Sequence, residues 1–480
     1  MMDQPDVLEV WIGKFRNWPP FVFLRKHRSG LLYLLFAAVA LVECLFYSYK
    51  VPYAQVPDEI THYQLMEEEF GTTGYVDNMI SGVYYPGSYY LLPGNPAAKV
   101  DREAAAGVAD SRFSKDLQLS LHPKLTALRH LPAGIGFYLG AWLDLPMVTC
   151  AAMAELFSIL FFVGMGYLTL RTAPVKKEIF AFCMLIPETL QQCASINYDA
   201  VVIPCSLFLF AYILKLYNME NPVRWRNLAV VALVTFVLVV VKLPYSLIVL
   251  TIFIIPAKHY RLMIGKRFEL AGWIRRFWVV PLVLGLAAVG GGIYLMRDNS
   301  IVKTAIADFL YFREFLALLK NTLKTLGFYR VTQMVGMFGW LDSQVSGLFL
   351  VIFFMMMIYL NACRAETLNR ELTVPRRGWL LLVAVVIVVA IEIALQEWTY
   401  QYLSWDRTVG IEQFCEYILF TSQVLGVQGR YWIPALPIFL VAVSGANPRE
   451  HRKGYWIVQI CFYAFSFYYV MSILNERYWL

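Results

Sequence analysis

The stretch LLYLLFAAVALVECLFYSY, from Leu31 to Tyr49, holds a single acid and no base. It approaches the roughly 20 apolar residues a helix needs to cross a bilayer. Basic residues precede it, namely Lys14, Arg16, Arg25, Lys26 and Arg28, and because cytoplasmic loops collect Lys and Arg this predicts an N-terminus on the inner side. No small-residue cleavage site follows directly, so the segment reads as a retained anchor rather than a removed signal peptide. Just beyond it comes Val56-Pro57-Asp58-Glu59-Ile60-Thr61-His62, two carboxylates and an imidazole at the outer membrane surface. On a helix Asp58 and His62 (i, i+4), and Glu59 and His62 (i, i+3), share a face.

The whole chain extends this reading. A sequence of 480 residues that is 59% hydrophobic and 16% charged is not an ordinary soluble domain; it predicts an all-α polytopic membrane protein. Apolar runs lie at about Leu31–Tyr49, Met147–Leu170, Glu178–Cys193, Ala200–Leu216, Leu228–Val241, Tyr245–Ile255, Phe277–Leu295, Val345–Leu360, Trp379–Leu395, Tyr431–Ser444 and Tyr455–Ile473. About eleven spans with the N-terminus inside and the C-terminus outside put every basic loop inside. These loops carry Arg171/Lys176/Lys177, Lys215/Arg224/Arg226, the cations between Lys258 and Arg276, those between Arg364 and Arg377, and Arg449/Arg452/Lys453. Reading His122–Leu143 as a further crossing would reverse every later loop, so it is expected to lie on or dip into the outer leaflet. A cytoplasmic segment, 1–30, then precedes a membrane domain over 31–480, with outer loops at about 50–146, 296–344 and 396–430. Non-membrane residues concentrated on one face place function there.

The net charge of +7 follows from the inner loops. Basic residues scattered as topology signals argue against nucleic-acid binding. None of the eight cysteines stands at metal-ligand spacing, and buried free thiols are expected.

Five groups of residues carry candidate chemistry. Asp58 and Glu59, after Pro57, also suit a plain helix start, where carboxylates complement the dipole; the neighbouring Glu67-Glu68-Glu69 reads as a solvated face. Asp199, in Asn197-Tyr198-Asp199, also reads as a helix cap. Lys242 interrupts an apolar stretch, which marks either a functional site or a side chain snorkelling to the interface. Trp340 and Asp342 suit sugar, a ring to stack and a carboxylate to take hydroxyl protons, though an interfacial Trp is commonly an anchor. Arg430, between Gly429 and Tyr431, can present its fork to a phosphate.

In their order and spacing, Pro57-Asp58-Glu59 with His62, His122-Pro123, Ser195 to Ala200, Lys242-Leu243-Pro244-Tyr245, Gly339 to Asp342 and Gly429-Arg430-Tyr431 resemble the bacterial membrane family known as domain of unknown function 2142. The resemblance runs from about Leu31 to Ser444 and departs from the usual pattern at His122-Pro123-Lys124. That family is similar in layout to the glycosyltransferase C superfamily. The wider resemblance implies sugar transfer from a polyprenyl-phosphate carrier to an acceptor outside the bacterial cytoplasmic membrane, with a first-loop acid, Asp58 or Glu59, as base.

The chemistry needs a base for the acceptor hydroxyl and cations for the departing lipid phosphate. The expected roles are Asp58 as base with Glu59 as runner-up, and His62 orienting that base or helping to hold a divalent cation. Arg430 and Lys242 would take the phosphate, and Trp340, Asp342, Asp199 and Tyr431 would line the sugar or acceptor site. No cofactor is required; a divalent cation is left open, though no Asp-x-Asp occurs in the first loop. The partners are the lipid-linked sugar, a glycan or lipid acceptor and membrane lipids. Transfer would invert the anomeric carbon. The competing readings are a transporter or flippase for a lipid-linked saccharide and an assembly factor that docks a partner.

Overall fold

The computed structural model describes residues 28–81, 99–220, 223–256, 312–339, 341–362, 376–404, 426–444 and 455–480. The expected span Phe277–Leu295, Trp340 and most of the N-terminal segment lie outside the described residues.

The described chain is helical almost throughout. It begins with α1 (Arg28–Lys50), α2 (Glu59–Phe70), α3 (Tyr75–Met79) and α4 (Arg102–Val108). A 3-10 turn at Leu125–Arg129 then leads into α5 (Leu131–Trp142) and α6 (Met147–Thr172). Next come α7 (Lys177–Met184), α8 (Pro187–Cys193), α9 (Asp199–Tyr217), α10 (Trp225–Val241) and α11 (Leu243–Ser246), which continues as a 3-10 helix over Leu247–Ile254. The amphipathic α12 (Phe312–Val335) precedes a small antiparallel ribbon, β1 (Met337–Phe338) with β2 (Ser343–Gln344), in which Met337 faces Gln344. The chain closes with α13 (Gly347–Ala362), α14 (Arg376–Ser404), a 3-10 helix at Gly429–Ala435 joined to α15 (Leu436–Val443), and α16 (Tyr455–Tyr478).

Among the described residues, five segments are long and apolar enough to cross a membrane: Tyr33–Lys50, Met147–Thr172, Asp199–Tyr217, Arg376–Glu397 and Ile457–Tyr478. Outward faces among them are apolar as well. Leu34 on α1, Leu160 on α6, Ile387 on α14 and Ile457 on α16 are all exposed, as expected of helices whose solvent is lipid. The centre of the bundle is α9, the most enclosed of the five, packed against α6, which also meets α1 and α5.

Other expected spans are broken or short. Glu178–Cys193 is not one helix but α7 and α8, because Pro187 offers no N–H and forces Ile186 into extended backbone. Tyr245–Ile255 and Tyr431–Ser444 each combine a 3-10 stretch with a short α segment beside Pro244, and beside Pro434 and Pro437. The 12-residue α5 rises about 18 Å, well short of a bilayer core of about 30 Å. The helix after Pro57 begins at Glu59, and Asp58 stands before it in the left-handed region at φ 69°. Among the described cysteines all six are free and five are buried, whereas Cys461 is exposed because its face of α16 is turned outward.

Packing of α5 on α6 leaves no room at Gly136, where a Cβ would lie 2.3 Å from the Met153 carbonyl oxygen. Gly136→Ala is expected to cost about 1–3 kcal/mol, read as a lower melting temperature in detergent. Gly107→Ala, which would meet nothing within 4 Å, is the control. Equal melting of the two variants would refute the close contact.

Candidate functional site

The starts of α2 and α9, the junction of α10 with α11, and the 3-10 helix at Gly429–Ala435 converge on the Arg430 guanidinium. Arg430 is buried. Its Nη2 donates to Asp58 Oδ2 at 3.0 Å, and its Nε lies 3.3 Å from Asp199 Oδ2, an ion pair without hydrogen-bond alignment. Its Nη1 has no hydrogen-bond partner among the described residues. Gln428 Nε2 donates to the same Asp58 oxygen at 3.4 Å. Gly429 makes the approach possible, since a Cβ there would lie 1.9 Å from the Arg330 carbonyl oxygen, and its own N–H donates to Gln333 Oε1 on α12.

Neither Asp58 nor Asp199 caps a helix. The Asp58 side chain makes no cap bond, at the start of α9 it is Asn197 Oδ1 that accepts from the Asp199 N–H, and the buried guanidinium takes both aspartate carboxylates instead. They differ in access: the Asp58 side chain is 49% exposed and that of Asp199 4%. Asp58 is the carboxylate of this group that an outside molecule can reach and displace.

Lys242 does not snorkel. It is buried between α10 and α11, with Nζ 3.5 Å from the centroid of Tyr431 and within 5.1 and 6.0 Å of the Tyr198 and Tyr245 centroids. Nζ donates to the Tyr198 hydroxyl at 3.2 Å and lies 3.9 Å from Glu397 Oε1. Three aromatic faces and a carboxylate offset the cost of burying the ammonium. The Tyr245 hydroxyl donates to the Tyr431 carbonyl at 3.0 Å, fixing the cage.

His62 faces away from Asp58. Its Nδ1 shares a 3.0 Å hydrogen bond with His130 Nε2, and its ring stands edge-on to Tyr198 at 4.7 Å. His130 Nδ1 in turn lies 2.7 Å from Glu69 Oε2, whose other oxygen is 3.6 Å from Arg129 Nη1. The expected pairing of His62 with Asp58 is therefore replaced by one with His130, because Asp58, outside the helix, does not share its face. The acidic run is not a solvated face either. Glu67 accepts from the Tyr75 and Val76 N–H groups at the start of α3, Glu68 pairs with Lys124 at the surface, and Glu69 is buried.

Glu59 is buried beside the cluster, where the Ile196 and Val56 N–H groups donate to its two oxygens at 3.3 and 3.4 Å. With Glu155, Gln191, Ser48 and Ser195 it lines a cavity of about 10 Å³, room for roughly one water. Burial pushes its carboxyl up to about 7, against the backbone N–H groups that favour the charged form. His62 is held well below the ordinary histidine value, first by burial and then by His130, Arg430 and Lys242.

Asp342 is elsewhere engaged. Arg477 on α16 grips its carboxylate through Nε and Nη2, at 3.2 and 3.0 Å. Tyr431 belongs to the Lys242 cage. The sequence reading took Glu69 for part of a solvated face and gave no chemical role to Arg129, His130, Tyr198, Tyr245, Glu397 or Gln428. It also passed over Glu43 and Glu155, acids inside apolar stretches, where an ionisable residue is a signal in itself. Among the described residues no group of three or more His, Cys, Asp or Glu is placed to hold a metal ion.

Several long apolar helices with exposed apolar faces mark a multi-pass membrane protein. The chain belongs to the family described as "Predicted membrane protein (DUF2142)", whose model matches residues 44–439. No curated protein and no solved structure matches it.

The two shifted groups give stability opposite pH slopes. His62 binds its proton less well folded than unfolded, so its contribution is present above about 6.5 and lost as pH falls below it. Glu59 binds its proton better when folded; that contribution is full below about 4.5 and lost as pH rises through about 7. His62→Gln is expected to lose less melting temperature than the unaltered protein between about pH 7.5 and 5.5, and Glu59→Gln less between about pH 5 and 8. Unchanged slopes would refute these assignments.

Proposed function

We propose that this protein is a membrane glycosyltransferase that moves a sugar from a polyprenyl-phosphate carrier to a glycan or lipid acceptor at the extracytoplasmic face. In this reading about eleven spans hold the N-terminus inside and the C-terminus outside, and the membrane is the bacterial cytoplasmic membrane. The observation that carries it is Arg430, a buried guanidinium with Nη1 unpartnered among the described residues and Nη2 on a half-exposed carboxylate.

A donor phosphate exchanges for Asp58 on Nη2 and takes Nη1 as well, the bidentate contact that suits arginine. Lys242 supplies a second positive charge. The exchange matters for charge balance, because Arg430 and Lys242 otherwise face Asp58, Asp199 and Glu397. In a site shielded from water, fixed cations favour the charge that grows on the leaving phosphate. The acceptor hydroxyl attacks opposite to that phosphate, its proton passes to a group at the start of α2, and the configuration inverts. Asp342, gripped by Arg477, supports the fold more directly than it offers itself to sugar.

The alternative is a flippase for the same lipid-linked saccharide, favoured by the one observation that Asp58 competes for the phosphate-binding edge and would speed release. Labelled sugar transfer in proteoliposomes separates the two. Arg430→Lys and Lys242→Ala are each expected to lower turnover per folded molecule on the order of 100-fold or more, beyond any fall in melting temperature from disturbing a buried ion pair. Donor binding without turnover by the unaltered chain would end the transferase reading in favour of transport.

A further inference from the structure

Three buried side chains from the first outer segment form a hydrogen-bonded line that ends beside the Arg430 and Lys242 cluster. Glu69 Oε2 lies 2.7 Å from His130 Nδ1, and His130 Nε2 lies 3.0 Å from His62 Nδ1. With His130 as the neutral imidazole, the order of atoms sets the protons. The Glu69 carboxylate, also facing Arg129, accepts, so His130 Nδ1 carries the hydrogen and its Nε2 is the acceptor. His62 Nδ1 must then donate, which leaves the Nε2 lone pair bare. That ring stands edge-on to Tyr198, whose hydroxyl accepts from Lys242.

We propose that His62 Nε2 is the group that takes the acceptor's proton, with His130 and Glu69 as positioning residues that hold its tautomer. This rests on the transfer reading above. Both Glu59 oxygens receive backbone N–H groups, and Asp58, whose Oδ2 receives Arg430 and Gln428 in the empty site, is the carboxylate the phosphate displaces, which leaves His62 as the group held in place by a fixed partner. In the step, the acceptor oxygen forms its bond to the anomeric carbon and its proton goes to Nε2. The carbon–oxygen bond to phosphate breaks, and its electron pair leaves with the polyprenyl phosphate on Arg430 and Lys242. The imidazolium keeps its Nδ1–H bond to His130, backed by the Glu69 charge, and later releases its proton to water.

The surroundings also make this base dependent on the donor. The groups facing His62 are His130, with Glu69 and Arg129 behind it, Tyr198 at the start of α9, and the charges of Lys242 and Arg430. Burial first, then His130 and the two cations, disfavour its protonation in the empty site. A phosphate on Arg430 and Lys242 offsets the cations' share and so raises the basicity when an acceptor can react.

The test uses the full chain, 15N-labelled at its six histidines, in lipid nanodiscs, with the His62 resonances assigned by their loss in His62→Gln. The expected spectrum has Nδ1 protonated and Nε2 bare, and Glu69→Gln mixes the two tautomers; a protonated Nε2 in the unaltered protein overturns the proposal. The same nanodiscs are assayed with labelled polyprenyl-phosphate sugar. His62→Gln is expected to lower kcat on the order of 100-fold or more with the donor KM unchanged, and Asp58→Asn to lower the donor KM. If His62→Gln turns over normally and Asp58→Asn does not, the transferase reading stands and the base is Asp58. If the unaltered protein transfers nothing, the transferase reading and the base assignment fall together.

Discussion

A guanidinium cannot shed its proton within a protein, and an unpaired charge out of water costs several kcal/mol. Arg430 therefore dictates the arrangement around it. Asp58 must come from the start of α2 and Asp199 from the start of α9, so two helices far apart in sequence are held to one point. Gly429 lets the backbone reach α12, and Asp58 leaves the helix for a left-handed backbone at φ 69°. That conformation costs an ordinary residue about 1–2 kcal/mol and persists because it turns the carboxylate toward Arg430. A second buried cation, Lys242, meets the same constraint with aromatic faces and Glu397.

The bundle itself was legible because lipid leaves a coarse mark: a segment apolar on every side is read from composition alone. Its interruptions were less so. The helix break at Pro187 has a local cause that a hydropathy window averages away, and α7 and α8 together are apolar enough to pass for one span. The site was legible where a polar residue interrupts an apolar run, as at Lys242, or opens one, as at Arg430 and Asp199. What the sequence could not supply was who pairs with whom. An acid before a helix looks like a cap, and Asp58 and Asp199 were each open to that reading until a cation distant in sequence was seen to take the carboxylate.

The acidic run of α2 carries a more general lesson. Successive residues on a helix are about 100° apart, so Glu67, Glu68 and Glu69 cannot share one face. One serves the N–H groups of α3, one meets Lys124 at the surface, and the third is driven inward to His130. Treating the three as a unit hid the last of these, and with it the histidine pair. His130 carries no local signal of its own, because it opens an apolar helix that reads as interfacial. Only the fold brings it 3.0 Å from a ring 68 positions earlier.

The two proposed readings, transfer and transport of a lipid-linked sugar, would make the same demand of Arg430 and Lys242, to hold a phosphate and let it go. They differ in what else must be fixed. A carrier needs no proton acceptor, and a histidine near its cargo can take either tautomer without consequence. A transferase needs a lone pair at a known atom, and holding it there requires a partner on the opposite ring nitrogen, itself fixed by a third group. Buried Glu69, His130 and His62 form such a series beside the two cations. Burying two imidazoles and a carboxylate in line costs desolvation that a simple packing role would avoid with apolar side chains. That cost is understandable where the last nitrogen of the line has a proton to receive.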